Sequence, residues 1–133
     1  MKKSKVIKKE VIIKAAPHDV YEAFMDSKTH SKFTESKAKI SREVGGDFSV
    51  FEGTINGKNL ELVPDKKIVQ TWRSEDENWS KGFYSTITII FEAVEEGTLI
   101  KFTHVDVPES AYDSVKDGWT TYYWKPLKKL LEK

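Results

Sequence analysis

The sequence predicts an α+β fold: a curved antiparallel sheet of about seven strands, two short helices after the first strand, and a long C-terminal helix packed across the sheet. Three observations carry this. Apolar residues alternate with period two from Lys37 to His104. Turn signals divide that stretch at Gly45-Gly46, Asn56-Gly57, Pro64-Asp65 and Glu95-Glu96-Gly97. From Ser110 to Leu131 the period changes: Tyr112, Val115, Trp119, Tyr122, Tyr123, Leu127 and Leu130 recur at steps that keep them within one helical face.

Each element has its own reason. Val6 to Ala15 reads as a strand, with Val11, Ile13 and Ala15 on one face and Ile12 and Lys14 on the other. Pro17 suits the first position of a helix, and Val20, Ala23 and Phe24 continue it until it fades near Asp26-Ser27. Thr29 is placed to cap a second short helix, His30 to Thr34. Gly45-Gly46 and Asn56-Gly57 suit two-residue hairpins, whose primed turns need positive φ. Phe48 and Val50 share a face of the strand between them, and Leu60 and Leu62 share a face of the next. Ile68, Gln70 and Trp72 alternate with Val69, Thr71 and Arg73, after which Ser74 to Gly82 is a polar loop. The longest strand sets Phe83, Ile87, Ile89 and Phe91 on one side, and the last sets Ile100, Phe102 and His104 together. Ser110 with Asp113 has the form of a capping box, and Lys125, Lys128, Lys129 and Lys133 suit the negative end of the helix dipole. Gly118 weakens that helix, and Pro126 is expected to kink its last turns.

Composition bounds the function. The chain has 133 residues, read as a single domain spanning 1–133, with 38% hydrophobic and 12% aromatic content, enough for a sizeable core. Net charge is +1, so no global field favours nucleic acid or an anionic membrane. Lys2, Lys3, Lys5, Lys8 and Lys9 form a basic start, and Glu75, Asp76 and Glu77 an acidic loop, both read as solvated faces. The absence of cysteine excludes disulfides, thiolate metal sites and cysteine nucleophiles. No apolar h-region follows the basic start and no stretch approaches a membrane span, so a cytoplasmic protein is expected.

Pro17 with Val20-Tyr21-Glu22-Ala23-Phe24, Gly45-Gly46-Asp47-Phe48, Asn56-Gly57, Leu62-Val63-Pro64 and Ile68-Val69-Gln70-Thr71-Trp72-Arg73 follow one another in a familiar order. Thr86-Ile87-Thr88 with Phe91, Thr98 to Phe102, Gly118-Trp119 and Tyr122-Tyr123 complete it. In this order and spacing the chain resembles the C-terminal domain of the activator of heat-shock protein 90 ATPase and its stand-alone homologues, of the START-like (SRPBCC) helix-grip superfamily. The resemblance implies a helix-grip fold and, as partners, a hydrophobic small molecule or a heat-shock protein 90 family chaperone in a stress response. Eukaryotic members carry a separate N-terminal domain that engages the chaperone, with no counterpart in these residues, so strong ATPase stimulation is not expected of them.

Candidate chemistry is sparse. His18, His30 and His104 are dispersed without metal-ligand spacing, no nucleophile elbow occurs, and no cofactor or metal is expected. Gly53 to Asn59 only faintly resembles a phosphate loop and reads as a hairpin. Polar residues on apolar faces are the informative ones. Glu52, Gln70 and His104 each need a hydrogen-bond partner if buried, from the fold, from water or from a ligand. With Trp72, Phe83, Phe102, Trp119 and Tyr122 they are the candidates to line a ligand cavity. His104 with Glu52 could in principle act as acid and base, but no catalytic constellation supports an enzyme. Trp79, in the acidic loop, and Trp124, about 120° from the helix stripe, are the candidates for a partner surface. The leading expectation is a non-enzymatic domain that holds an apolar or amphipathic molecule between sheet and helix. The alternative is a co-chaperone-type interaction module. Truncating Trp119 is expected to loosen the helix, and truncating Trp124 to leave stability nearly intact.

Overall fold

The structure is a computed structural model that describes residues 4–132; of the basic residues at the two ends, Lys2, Lys3 and Lys133 lie outside them. Seven strands and the helices follow one another in the expected order. β1 is Ser4–Ile13, followed by α1, Pro17–Met25, and α2, Ser27–Thr34. Then come β2 Lys39–Ile40, β3 Asp47–Val50, β4 Ile55–Val63, β5 Lys67–Ser74, β6 Ser85–Val94 and β7 Gly97–Pro108. The sheet is antiparallel with spatial order β1-β7-β6-β5-β4-β3-β2, a meander closed by the first strand pairing with the last. Period-two burial follows from one covered face: Ile68, Gln70 and Trp72 on β5, Ser85, Ile87, Ile89 and Phe91 on β6, and Ile100, Phe102 and His104 on β7 all point inward.

The cap of α2 is Asp26, not Thr29. The Asp26 carboxylate accepts from the Thr29 backbone N–H at 3.0 Å and its hydroxyl at 2.6 Å, which starts the helix at Ser27 and holds that carboxyl below its usual range.

Both two-residue hairpin expectations need correction: Gly45-Gly46 ends the longer connection 41–46 between β2 and β3, with positive φ at Gly45 and the Gly46 N–H donating to the Glu43 carbonyl at 3.0 Å. Asn56-Gly57 is not a turn but lies inside β4. A Cβ at Gly57 would meet the Thr71 carbonyl oxygen at 1.8 Å, so glycine is required by the close approach of β5. The turn is Phe51 to Thr54, with positive φ at Phe51, Glu52 and Gly53. Glu52 is therefore an exposed turn residue, not a member of the Phe48 and Val50 face. Leu60 is exposed as well, because a register shift between Asn59 and Glu61 turns Asn59 inward in its place.

The C-terminal helix covers the sheet in four segments: a 3₁₀ turn Glu109–Ala111, an α-helix Tyr112–Trp119, a π-helical turn Thr120–Trp124 and an α-helix Lys125–Leu131. Ser110 makes no capping bond and belongs to the opening 3₁₀ turn. Pro126 does not break the rod. It follows directly on the π segment, whose Lys125 N–H already bonds five residues back instead of four, and the backbone at Trp124 and Lys125 stays helical.

The π turn explains the largest correction. Lys125 N–H donates to the Thr120 carbonyl, a five-residue step that adds a residue to the turn. Trp124 is thereby brought under Trp119, their rings stacked at 5.7 Å, and it is 4% exposed. It also packs on Phe102 at 5.1 Å and Phe24 at 6.4 Å. Tyr122 is rotated outward to 50% exposure. Trp79 is likewise buried, at 4%, against Trp72. Arg73 draws its loop inward, with Nη1 donating to the carbonyls of Ser80 at 2.8 Å and Phe83 at 3.0 Å and Nε paired with Glu75. Phe83 remains 37% exposed on this loop, because β6 begins only at Ser85. The partner-surface assignment of Trp79 and Trp124 therefore fails on burial.

Trp124→Ala is expected to destabilise the protein by roughly 3–5 kcal/mol, the range for emptying a buried aromatic site. Urea denaturation checks it, and a loss below about 1 kcal/mol would contradict the packing described.

Candidate functional site

Helix and sheet are joined by a relay of hydrogen bonds through His104. The residue is fully buried on β7. The Trp119 indole can only donate, and its Nε1–H reaches His104 Nδ1 at 3.1 Å. The proton of the neutral ring is therefore on Nε2, which donates to Ser85 Oγ at 2.7 Å. The Ser85 hydroxyl donates in turn to the Trp72 carbonyl at 2.7 Å. Every polar atom of the relay is satisfied, and burial pushes the His104 pKa down to about 3.

A second imidazole ties α2 to the same helix. His30 Nδ1 donates to the Phe24 carbonyl at 3.1 Å, and Nε2 accepts from the Tyr123 hydroxyl at 2.9 Å. Burial lowers the His30 pKa to about 4, the Phe24 bond opposing it, and holds the Tyr123 phenol above its ordinary value. Around these bonds Tyr123 stacks parallel to Phe24, with centroids 6.0 Å apart. Trp119 packs on Phe102 at 4.5 Å.

The interior between helix and sheet is thus filled rather than hollow. The void beside Gln70, Trp72 and Trp119 measures about 20 Å³, about the space of one water. Gln70 Nε2 donates to Asn59 Oδ1 at 2.9 Å, so its polar end is answered by the fold. Beside the helix, by contrast, an open cleft of about 310 Å³ adjoins the aromatic core. The β3–β4 turn and the start of β4 contribute Phe51, Thr54 and Ile55. Trp72, Ser74 and Asp76 come from β5 and the loop after it, and Ser114, Val115, Gly118, Trp119, Tyr122 and Tyr123 from the helix.

Of the cavity candidates, the cleft brings together Trp72, Trp119 and Tyr122. Gln70 lies at the small void, while Phe102 and His104 are core residues beneath Trp119. Glu52 and Phe83 stand on the surface, and Glu52 has no part in the His104 relay. Sequence reasoning missed Phe51 and Asp76 in the cleft, and Ser85 and His30 in the core. Gly53 was an available turn signal for Phe51, but Asn56-Gly57 is the stronger dipeptide. Ser85 could have been found as the polar residue that keeps the phase of Ile87 and Ile89. Among the described residues, no group of three or more His, Cys, Asp or Glu side chains could hold a metal ion, and no helix is long and apolar enough to cross a membrane.

A family model described as "Activator of Hsp90 ATPase homolog 1-like protein" matches residues 14–132. The chain is similar to the "Activator of 90 kDa heat shock protein ATPase homolog" of Dictyostelium discoideum, 34% identical over 117 residues, covering 87% of this chain and 30% of that protein. It is also similar to the "Activator of 90 kDa heat shock protein ATPase homolog 1" of Homo sapiens, 28% identical over 124 residues, 93% of this chain and 36% of that protein. The chain spans about a third of the length of these curated relatives. In structure it is similar to an HSP90 activator from Plasmodium falciparum, with a TM-score of 0.83 at 29% identity, covering 96% of this chain and 94% of the other. The Aha1 dimer from Colwellia psychrerythraea shares the fold, with a TM-score of 0.81 at 24% identity and 96% of both chains covered.

Both buried histidines are held neutral, with pKa values of about 3 and about 4 against 6.5 when unfolded. The unfolded chain therefore binds more protons below pH 6.5, and their stabilisation, complete above that pH, is lost as pH falls toward 4. The expected slope is up to about 1.4 kcal/mol per pH unit for each histidine. Urea denaturation from pH 7 to pH 4.5 should show it, and His30→Gln should roughly halve it; an unchanged slope in that variant would remove His30 from the account.

Proposed function

Because the chain belongs to the activator of Hsp90 ATPase homolog 1-like family, we propose that it is a non-enzymatic interaction module that binds an Hsp90-family chaperone and modulates its ATP turnover. The observation that carries this reading is the family match over residues 14–132, together with relatives named as activators of that ATPase. The buried polar chemistry agrees with a binding role. Both ring nitrogens of His104 and of His30 are engaged in bonds that hold the helix in place, so neither ring is free to move protons for a substrate.

The cleft favours a second reading, which the first does not exclude. Its volume of about 310 Å³ falls at the small end of the roughly 300–1,000 Å³ of ligand pockets, and its walls are mostly aromatic and aliphatic. We infer from it a site for an apolar or amphipathic small molecule, at the side of the helix and not in a sealed interior.

Mixing the purified protein with an Hsp90-family chaperone from the same cell should give a complex by isothermal titration calorimetry and a measurable change in the chaperone's ATP turnover. No heat of binding and no change in turnover at several-fold molar excess would reject the first reading. For the second, Gly118 offers a plug. A Cβ there meets nothing nearer than Tyr122 Cδ2 at 3.9 Å, so Gly118→Leu should fold and occupy the cleft. The neutral fluorophore N-phenyl-1-naphthylamine should brighten with the parent protein and not with Gly118→Leu. Equal brightening at equal thermal stability would place its site elsewhere.

A further inference from the structure

We propose that the cleft selects organic cations: small molecules with a quaternary or alkylated ammonium head on an apolar body. This rests on the reading of the cleft as a ligand site and names the chemical class it takes.

Five aromatic rings stand among its lining residues, and they form one continuous wall. Trp72 lies 5.8 Å from Trp119, Trp119 4.6 Å from Tyr123, Tyr123 6.4 Å from Phe51, and Phe51 5.4 Å from Tyr122, centroid to centroid. Ring faces carry the negative part of the quadrupole and attract a cation within about 6 Å, more strongly once it is desolvated. Phe51 is held in this wall by a left-handed backbone, φ 51°, which is uncommon for an aromatic residue and recurs at ligand clamps.

Charge points the same way. Asp76 is the charged residue of the lining, which includes no Lys, Arg or His. Glu52, Glu75 and Glu77 are exposed beside it in sequence or beside Phe51, with Glu75 paired to Arg73. The nearest cation along the helix, Lys116, is drawn off over the Tyr112 ring at 5.8 Å. A fatty-acid-like anion would meet the Asp76 carboxylate with no countercharge in the lining, whereas an ammonium head is attracted by the carboxylate's charge and by the ring faces. A neutral molecule retains only the apolar burial.

Benzyltrimethylammonium and its neutral isostere neopentylbenzene separate these cases, with 3-phenylpropanoate as the anion. Binding is read from the indole ¹H–¹⁵N signals of Trp72 and Trp119 in the intact protein. The cation should bind at least about ten-fold tighter than the isostere, a factor within reach of desolvated cation–π contact, and the anion should not bind. Asp76→Asn, which keeps the acceptor for the Asn78 N–H (2.9 Å), should weaken the cation by about three- to ten-fold and leave the isostere within about two-fold. Tyr122→Leu, at an exposed position, should weaken the cation more than the isostere. Isostere binding as tight as the cation's would overturn the cation class while leaving the cleft as a ligand site. Failure of both probes would remove the ligand site and this proposal with it. Cation binding that survives Gly118→Leu would also overturn it.

Discussion

A neutral imidazole buried between helix and sheet is the constraint on which the remaining structure depends. His104 has one acceptor and one donor, and the fold supplies Trp119 for the first and Ser85 for the second. Left unanswered, either nitrogen would cost about 1–3 kcal/mol. Answered, they set the rotation of the C-terminal helix as well as its distance from β7. Trp119 can reach Nδ1 only if its edge faces the sheet, and that orientation lays its ring on Phe102 and beside Trp72. The His30 and Tyr123 bond repeats the device one turn later against α2. Two directional bonds thus register a contact that dispersion alone would leave free to slide.

The π turn follows from the same requirement. Trp119, Tyr123 and Trp124 all sit inward in the folded chain, and a regular 3.6-residue period cannot hold both Tyr123 and Trp124 under Trp119. One extra residue in the turn does, at the cost of displacing Tyr122 to solvent. The outward Tyr122 forms part of the cleft wall and meets Phe51 of the β3–β4 turn instead of the core. The filled interior and the Tyr122 wall of the side cleft are two results of one local change in helical register.

The strands were legible because period-two burial is a direct response to having one covered face. Ile68, Gln70 and Trp72 could be assigned inward from spacing alone, and so could Ile100, Phe102 and His104. The sites were less legible. Glu52 shares the spacing of Phe48 and Val50, yet the chain leaves the strand at Phe51. Gly57 follows Asn56 as in a favoured hairpin, yet its missing side chain serves the approach of Thr71. In each case a local pattern had two physical uses, and long-range packing chose between them.

By itself the sequence determined the class of fold, the order of its elements, the inward faces of the central strands and the family, because these follow from periodicity and from motifs read along the chain. Only the tertiary structure decided which partner each buried polar group takes, which of the helix aromatics turn inward, and where the open space lies. Those outcomes depend on residues far apart in sequence, such as Trp119 with His104 or Phe51 with Tyr122. A one-residue change in helical register redistributes them all without altering the pattern that the sequence displays.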